Sequence, residues 1–349
     1  MISPTPRSLG YRMPAEWEPQ EAVWLAWPHN PDTWTGDLLE RVRQTYCEVI
    51  GALDGRQRTH LLVRNAEEEA SARRMLDASR IQLPAVRFFQ IPSADTWIRD
   101  YGPTFVTNGS RGQTALVNWQ FNAWGDKYDD LKPDDGIPER MNHHLSLPMF
   151  HAGIVMEGGS IEVNGAGTLI TTEQCLLNRN RNPQLGPTEI EEYFGEFLGV
   201  SHVVWLGEGI AGDDTDGHID DIARFADRET VMCAFEDDRS DENYLVLTDG
   251  YKRLTASKDQ RGAGFRVLKL PMPDPVFGNG GRLPASYANF YIANEVVIVP
   301  VFGQEKDRAA LDVIGSAFPG RRVVGVDSTA MVYGLGSVHC SSQQQPIAR

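Results

Sequence analysis

A cysteine near the end of the chain is the first candidate for chemistry. Cys340 follows a glycine-rich run, GLGSVHC at residues 334–340, and such a loop can present a thiol to a cleft. The thiolate of cysteine is a nucleophile, so the segment predicts covalent catalysis if the fold supplies a positive environment and an acid/base partner. The alternative is a cysteine that is simply buried in a core.

A histidine and an aspartate one residue apart form a second candidate. In an extended segment His218 and Asp220 point to the same face. An imidazole and a carboxylate side by side can divide acid/base work and cation binding, and His218 can serve as the partner of Cys340 if the fold brings the two together. A local hydrogen-bonded pair is the alternative for an isolated H-x-D. A metal site has little support, because no further histidine occurs in a comparable pattern.

Two more carboxylates lie beside turns. Asp100 is part of WIRDYGP at residues 97–103, next to the aromatic side chain of Trp97. Glu157 precedes Gly158 and Gly159, where the lack of side chains allows close approach to a ligand. The alternatives are a structural Arg–Asp loop at the first position, core packing for Trp97 and a simple β-turn at Glu157.

One segment matches the sequence pattern of a dinucleotide-binding motif but lacks the surroundings that such a motif needs. Residues 207–212 (GEGIAG) match G-x-G-x-x-G and follow a predicted strand, but the carboxylates that come next would repel a pyrophosphate. The same region fails as an EF-hand, since Gly212 and Ala223 stand where the first and twelfth ligands belong. We therefore predict no nucleotide cofactor and no metal.

Alternating strands and helices must position these residues. The pattern predicts helices at residues 38–53, 67–78, 187 onward, 243–256 and 304–317, with strands between them and a final loop. Thr188 and Glu191 have capping-box spacing, and residues 126–138 read as an exposed loop. Similar polar-to-strand segments recur at Asp100, Glu157, His218, Asn289 and Cys340, at spacings of 57, 61, 71 and 51 residues. Such spacing indicates a radial repeat of α/β modules that each contribute one loop to a common centre, although any mixed α/β chain has strands at such intervals.

Length and composition restrict the function classes. The chain has 349 residues and a net charge of −15, which argues against a nucleic-acid partner. No apolar run reaches the length of a membrane span and the first residues lack a secretory apolar region, so we expect a cytoplasmic protein. Cys47, Cys175, Cys233 and Cys340 lie far apart and support neither a disulfide framework nor a zinc ribbon.

Several motifs together resemble the agmatine deiminase and bacterial-type peptidylarginine deiminase family. They span almost the whole chain in order: MPAEW (13–17), AVWLAWPH (22–29), WIRDYGP (97–103), NWQFNAWG (118–125), MEGGSI (156–161), DDTDGHID (213–220), YAN (287–289) and GSVHCSSQQQP (336–346). The resemblance implies an α/β fold, a five-bladed α/β propeller of pseudo-fivefold ββαβ repeats with a central active site. It implies that residues 1–349 form a single catalytic domain.

The resemblance also implies a division of roles. Cys340 is the expected nucleophile, His218 the acid and base, and Glu157 the residue that orients His218. Asp100 and Asp220 are expected to grip a planar, cationic guanidinium through its N–H groups, and Trp97 to pack on the aliphatic part of the substrate. No metal or organic cofactor is required.

The implied reaction is hydrolysis of the C–N bond of a linear amidine. The MPAEWEP segment and the length favour agmatine, giving N-carbamoylputrescine and ammonia, a step of putrescine and polyamine biosynthesis. Gln20 and Leu335 depart from the family pattern, which has histidine and glycine there, and Leu335 can reshape the substrate end. A peptidylarginine or other small-guanidine deiminase, an amidinotransferase of the same fold and a non-catalytic guanidine-binding protein remain alternatives. We expect no nucleic-acid or membrane partner, and a homo-oligomer is possible.

Overall fold

One sheet topology recurs along the chain. The computed structural model describes residues 4–278 and 280–348. Its strands are β1 (Gln20–Ala26), β2 (Arg58–Val63), β3 (Val86–Gln90), β4 (Thr104–Asn108), β5 (Gln113–Gln120), β6 (Met149–Val155), β7 (Glu162–Val163), β8 (Thr168–Thr172), β9 (His202–Leu206), β10 (Ala223–Phe225), β11 (Thr230–Phe235), β12 (Arg266–Pro271), β13 (Phe277–Gly278), β14 (Gly281–Arg282), β15 (Tyr291–Ile292), β16 (Val296–Val301), β17 (Arg322–Asp327) and β18 (Ser342–Pro346). The sheets β4-β5-β6, β7-β8-β9, β10-β11-β12 and β15-β16-β17 each join an antiparallel pair to a parallel pair.

The same pattern closes the chain on itself. Strand β18 pairs antiparallel with β1, which pairs parallel with β2, and β2 pairs parallel with β3. The prediction that the last residues form a loop is therefore wrong. The SQQQP segment has no apolar alternation, yet it is buried because its amides find partners, such as the Trp24 Nε1 that donates to Gln345 Oε1 at 2.9 Å.

Helices cross over between the parallel strands, as parallel pairing requires. The helices are α1 (Leu38–Leu53), α2 (Ala66–Ala78), α3 (Ile98–Tyr101), α4 (Ala123–Asp126), α5 (Ile137–Leu145), α6 (Glu173–Leu176), α7 (Pro187–Leu198), α8 (Asn243–Ala256) and α9 (Lys306–Ala317). Among them α3 is not a crossover, because it connects β3 to β4 in a different sheet. The predicted helices at residues 38–53 and 243–256 are confirmed at both ends. Their apolar faces cover strands such as β16, whose residues are buried except for Val301.

Two local predictions are wrong. Helix α7 begins after Gly186, and it is Glu189 Oε2 that accepts the Gly186 N–H at 3.0 Å, so Thr188 and Glu191 do not form the cap. Much of residues 126–138 is exposed, as predicted, but the stretch is not a loop, because it forms a 3₁₀ segment, Asp129–Gly136, that leads into α5. Asp134 is buried in that segment because it accepts the N–H groups of Ala94 at 2.6 Å and Asp95 at 3.0 Å.

The loops that the sequence singled out occupy equivalent places. Asp100, Glu157, Asp220, Asn289 and Cys340 each lie just before the first strand of one sheet, namely β4, β7, β10, β15 and β18. Across the described ranges, no helix is long and apolar enough to cross a bilayer. The four cysteines are buried free thiols.

Candidate active site

The site is assembled around a residue without a side chain. A Cβ placed on Gly159 would lie 2.6 Å from His218 Nδ1, 2.8 Å from Asp100 Oδ1 and 3.1 Å from Asp220 Oδ2. Three predicted site residues therefore converge on this backbone position, and only glycine leaves them room. The sequence predicted close approach of a ligand at the glycines; in the structure it is protein side chains that approach Gly159.

Asp100 is held by two donors. Its Oδ1 accepts the Gly159 N–H at 2.9 Å and its Oδ2 accepts the Trp124 Nε1–H at 2.9 Å. Burial raises the pKa of Asp100 to about 6, with the charges of Asp220 and Glu157 adding to the increase and His218 opposing it. Both oxygens face fixed N–H groups, so the carboxylate has one orientation.

His218 carries a positive charge at neutral pH. Its Nδ1 lies 3.6 Å from Asp100 Oδ1, and within residues 4–278 and 280–348 neither ring nitrogen has a hydrogen-bond partner. Burial alone would lower the pKa of His218, but Asp100, Cys175 and Glu157 outweigh burial and raise this pKa well above its ordinary value. A buried imidazolium with an uncommitted N–H can donate a proton to a substrate.

Glu157 is buried against an arginine that the sequence analysis did not consider. Arg181 Nε donates to Glu157 Oε1 at 2.9 Å, while Oε2 has no partner in the described chain. Arg181 also bonds Asp216 and donates to the carbonyl of Thr215 at 2.9 Å. Glu157 thus ties the loop before β7 to the acidic loop before β10.

A carboxylate, a thiol and an imidazole meet beside Arg181. The nearest ligating atoms of Glu157, Cys175 and His218 lie within 4.8 Å of one another. These donor types suit Zn²⁺, but the Arg181 guanidinium already compensates the carboxylate. In this arrangement Cys175 and Glu157 are neighbours that set the charge of His218.

The thiol of Cys340 faces carboxylates and an amide. Its Sγ lies 3.0 Å from Asn289 Nδ2 and 3.6 Å from Asp220 Oδ2. Burial raises the pKa of Cys340 well above its usual value, and Asp220, Asp221 and Asp100 raise it further. The positive environment that a catalytic Cys340 requires is therefore not supplied by its immediate neighbours, whose negative charge favours the protonated thiol.

Asp220 has one oxygen engaged and one uncommitted. His339 Nδ1 lies 2.7 Å from Oδ2, whereas Oδ1 is buried with no partner among the described residues. Burial would raise the pKa of Asp220, but the hydrogen bond and charge of His339 outweigh it and lower this pKa. Asp220 is therefore ionised and able to accept a further donor.

Asp100 and Cys340 line a cavity of about 280 Å³, whereas His218, Asp220 and Glu157 are buried and lie outside that lining. The lining also includes Trp97 and Trp124. Trp97 packs against Trp34 with ring centroids 5.4 Å apart. A Cβ on Gly336 would lie 2.6 Å from the Trp97 ring, so the glycine-rich loop fits closely around it.

Leu335 and Gln20, which depart from the family pattern, differ in their position relative to the cavity. Leu335 lines the cavity, and its φ of +67° lies in the left-handed region that favours glycine. Gln20 is buried in β1, where its Nε2 donates to the Ile292 carbonyl at 2.8 Å and its Oε1 accepts from Gln57 Nε2 at 2.7 Å. Only Leu335 is therefore placed to affect a substrate.

Sequence reasoning missed several members of the site. Trp124, Asn289 and His339 lie within motifs that were recognised, but their types gave no reason to assign them a role. Cys175 and Arg181 lie in a segment with no chemical signature, and only the fold brings them to His218 and Glu157.

Comparison with known proteins agrees with this geometry. The family model described as Porphyromonas-type peptidyl-arginine deiminase matches residues 12–346. A Legionella pneumophila protein that bears the provisional name agmatine deiminase is 40% identical over 346 residues, covering 99% of this chain and 97% of that protein. The solved agmatine deiminase of Enterococcus faecalis is 35% identical with a TM-score of 0.93, covering 100% of this chain and 99% of that one. The C. jejuni agmatine deiminase, solved with a cysteine-to-serine substitution and substrate bound, is 30% identical with a TM-score of 0.87 and 97% coverage of both chains.

Proposed function

The chain belongs to the Porphyromonas-type peptidyl-arginine deiminase family, and from that membership and the site we propose that it hydrolyses agmatine to N-carbamoylputrescine and ammonia. It is a hydrolase that acts on the C–N bond of a guanidine. One observation carries the proposal: Asp100, Asp220 and His218 converge on Gly159, with the Cys340 thiol 3.6 Å from Asp220.

The two aspartates suit a planar cation. A guanidinium presents paired N–H groups along its edges, and an ionised carboxylate accepts them with good geometry. Asp100 is fixed by Gly159 and Trp124, and Asp220 keeps Oδ1 uncommitted. We infer that these carboxylates hold the guanidinium so that its central carbon faces Cys340 Sγ.

The charge of the substrate activates the nucleophile. In the empty site, burial and three carboxylates keep the pKa of Cys340 high. A bound guanidinium cancels negative charge and lowers that pKa, so the thiol loses its proton to solvent as the substrate binds. The site therefore forms its thiolate only when a cation is there to be attacked.

His218 then serves as acid and base. Attack by Cys340 forms an S–C bond, and the C–N bond breaks as ammonia leaves with the proton of His218. The neutral imidazole next removes a proton from water, whose oxygen bonds to the thiouronium carbon while the S–C bond breaks. Cys340 recovers its proton from the protonated ureido product, so the enzyme returns to its starting state.

Glu157 positions His218 rather than the substrate. Its uncommitted Oε2 lies in the cluster with His218 and Cys175, and its charge raises the pKa of His218. Arg181 fixes the other oxygen at 2.9 Å. These contacts support the orienting role that the resemblance implied.

The cavity favours agmatine over free arginine. Beyond the guanidinium site, its lining residues include Asp32, Asp95, Asp130 and Asp214, of which Asp214 pairs with Lys127 (Nζ to Oδ1, 3.6 Å), and within the described ranges no lysine or arginine lines it. The terminal ammonium of agmatine is attracted by such a surface, whereas the α-carboxylate of arginine has no cation to pair with. A volume of about 280 Å³ also suits a small molecule better than a peptide. Trp97 lines the path and supports the tetramethylene chain.

We also propose the wider architecture. Five sheets of one topology, with the site residues before each first strand, support a five-bladed propeller with a central site. The pairing of β18 with β1 supports one catalytic domain over residues 1–349. Four free thiols suit a reducing cytoplasm, and the carbamoylated diamine product suits polyamine biosynthesis.

The test is product release from agmatine, arginine and a peptidylarginine, with the wild type and Cys340→Ala in parallel. We expect ammonia and a ureido product from agmatine in equal amounts, and none from Cys340→Ala. An added acceptor amine separates hydrolysis from amidino transfer, because a transferase would give an amidinated amine in place of the ureido product. Folded wild-type protein that turns over none of the three overturns the proposal.

A further inference from the structure

A buried histidine next to the nucleophile has no part in the mechanism above. His339 is 1% exposed, and both of its ring nitrogens meet carboxylate oxygens: Nδ1 lies 2.7 Å from Asp220 Oδ2 and Nε2 lies 2.9 Å from Glu16 Oε2. Ionised carboxylates only accept hydrogen bonds, so both nitrogens must donate. Imidazole has two N–H groups only as the imidazolium cation.

The alternative, a protonated carboxyl next to a neutral imidazole, is disfavoured at Glu16. Arg99 Nη2 lies 3.1 Å from Glu16 Oε2 and Arg224 Nη2 lies 3.0 Å from Oε1. Burial would raise the pKa of Glu16, but Arg224, His339 and Arg99 outweigh it and hold this pKa far below its ordinary value. Glu16 therefore remains a carboxylate, which leaves the donating role in this contact to His339 Nε2.

The charges of this buried network balance. The cations Arg99, Arg224 and His339 face the carboxylates of Glu16, Asp220 and Glu162, the last of which accepts from Arg224 Nε at 2.9 Å. A neutral residue in place of His339 leaves an excess negative charge in a medium where unpaired charge is costly. The excess negative charge favours uptake of a proton by one of the carboxylates. Asp220 is the expected site, because it lies next to the position of His339.

The position of His339 also fixes the geometry of Asp220. His339 engages Oδ2, so Oδ1 remains available for a guanidinium. We propose that His339 is a positioning residue, an imidazolium held by Glu16 that keeps Asp220 ionised and oriented for the substrate. This inference rests on the proposed function, because it assigns Asp220 to the guanidinium.

Other groups also face Asp220, and each contributes to its titration. They are His218, Cys340, Asp100, Asp221 and Arg224, together with His339 itself. His339 is the cation that directly hydrogen-bonds the carboxylate, since Arg224 contacts Glu16 and Glu162 instead. The acid limb of the pH profile of kcat/KM should therefore respond to His339.

The experiment compares His339→Gln with the wild type on agmatine across the pH range. We expect kcat/KM at pH 7 to fall about 10- to 100-fold, the value of one charge-assisted hydrogen bond. The acid limb of kcat/KM should move to higher pH, and activity should partly recover at alkaline pH because Asp220 ionises there without its cation. Damage to folding alone would lower kcat/KM equally at every pH.

Two further measurements keep the test decisive. In an inactive Cys340→Ala background, His339→Gln should weaken agmatine binding in calorimetry, and it should add little once Asp220→Asn is present, because both changes act on one carboxylate. His60→Gln is the matched control: His60 is also buried, its ring nitrogens lack partners within the described residues, and its variant should keep the wild-type pH profile.

The outcomes separate the two proposals. Wild-type turnover together with unchanged agmatine binding when His339→Gln is added to Cys340→Ala overturns the role of His339 and leaves the deiminase function standing. If His339→Gln and Asp220→Asn weaken agmatine binding by fully additive amounts in the calorimetric measurements, the role of His339 is also overturned and the deiminase function stands. Absence of turnover in the wild type overturns the proposed function, and the role of His339 in it falls as well.

Discussion

Trp124 Nε1 donates to Asp100 Oδ2 at 2.9 Å, and the backbone that places this indole is left-handed. Ala123, Trp124, Gly125 and Asp126 have φ values of +54°, +55°, +87° and +63°. For a residue other than glycine, the left-handed conformation costs about 1–2 kcal/mol of conformational free energy. Strain of this kind collects at functional sites, where the surrounding structure enforces it. Here it fixes the carboxylate that we assign to the guanidinium.

The first prediction concerns that hydrogen bond. Trp124→Phe removes the N–H and keeps most of the ring, so Asp100 loses one of its two donors. Because the donor orients a carboxylate that binds the substrate, we expect KM for agmatine to rise about 10-fold, with a smaller effect on kcat. Steady-state kinetics measure both constants.

Trp119→Phe is the control for Trp124→Phe. Trp119 Nε1 donates to Thr104 Oγ1 at 3.0 Å, away from the cavity lining. Its variant should keep the wild-type KM. Equal changes in the two variants would show that the Trp124 hydrogen bond has no special role.

The second prediction concerns Gly159. In Gly159→Ala the new methyl group would lie 2.6–3.1 Å from His218, Asp100 and Asp220, so these groups must move apart. A displacement of about 1 Å at reacting groups costs about 100-fold, and we expect at least that loss in kcat/KM. Gly320→Ala, where no atom lies within 4 Å of the new methyl, should have wild-type activity.

The third prediction is the pH profile. Asp100 must be ionised to hold the guanidinium and its pKa is about 6, so kcat/KM should fall as the pH drops through about 6. A bound cation lowers this pKa, so the acid limb of kcat should lie at lower pH than that of kcat/KM. His218 acts as an acid with a raised pKa, so the alkaline limb should lie above the ordinary range of histidine. Identical acid limbs in kcat and kcat/KM would contradict the assignment to Asp100.

The fourth prediction concerns the resting thiol. Because burial and carboxylates raise the pKa of Cys340, the empty enzyme should contain no Cys340 thiolate at neutral pH. Ultraviolet difference titration of the wild type against Cys340→Ala isolates this thiol from the other three. A thiolate signal near neutrality in the absence of substrate would contradict activation by the substrate cation.

The fifth prediction concerns substrate range. Leu335 lines the cavity, so Leu335→Gly enlarges the site and removes a side chain from a left-handed position. We expect the ratio of kcat/KM for an N-acylated arginine amide to that for agmatine to rise about 10-fold. Competition between the two substrates measures the ratio, and an unchanged ratio would show that Leu335 does not limit the substrate.

The sequence was sufficient for the elements with strong periodicity and for the chemistry-bearing residues. Helices α1 and α8 have clear apolar faces, and Cys340, His218, Glu157, Asp100 and Asp220 stand in recognisable motifs. Strand β18 was missed because its glutamines carry no apolar pattern. The burial of such a strand depends on partners that are distant along the chain.

The parts of the site that act through charge could not be predicted. Whether Cys340 is a thiol or a thiolate depends on carboxylates from other loops, and the sequence could only state that catalysis requires a positive environment there. Arg181 and Cys175 reach Glu157 and His218 only through the packing of α6 and its following loop. His339 was visible next to Cys340, but its two carboxylate partners, Glu16 and Asp220, lie 323 and 119 residues away.

The most direct test of the central claim is to trap the covalent intermediate. Enzyme that is turning over agmatine is quenched in acid, digested and analysed by peptide mass spectrometry. We predict an amidino adduct on the peptide that contains Cys340, and we predict that this adduct is absent from Cys340→Ala. Turnover of agmatine that persists in Cys340→Ala, or an adduct on any other residue, would contradict the account.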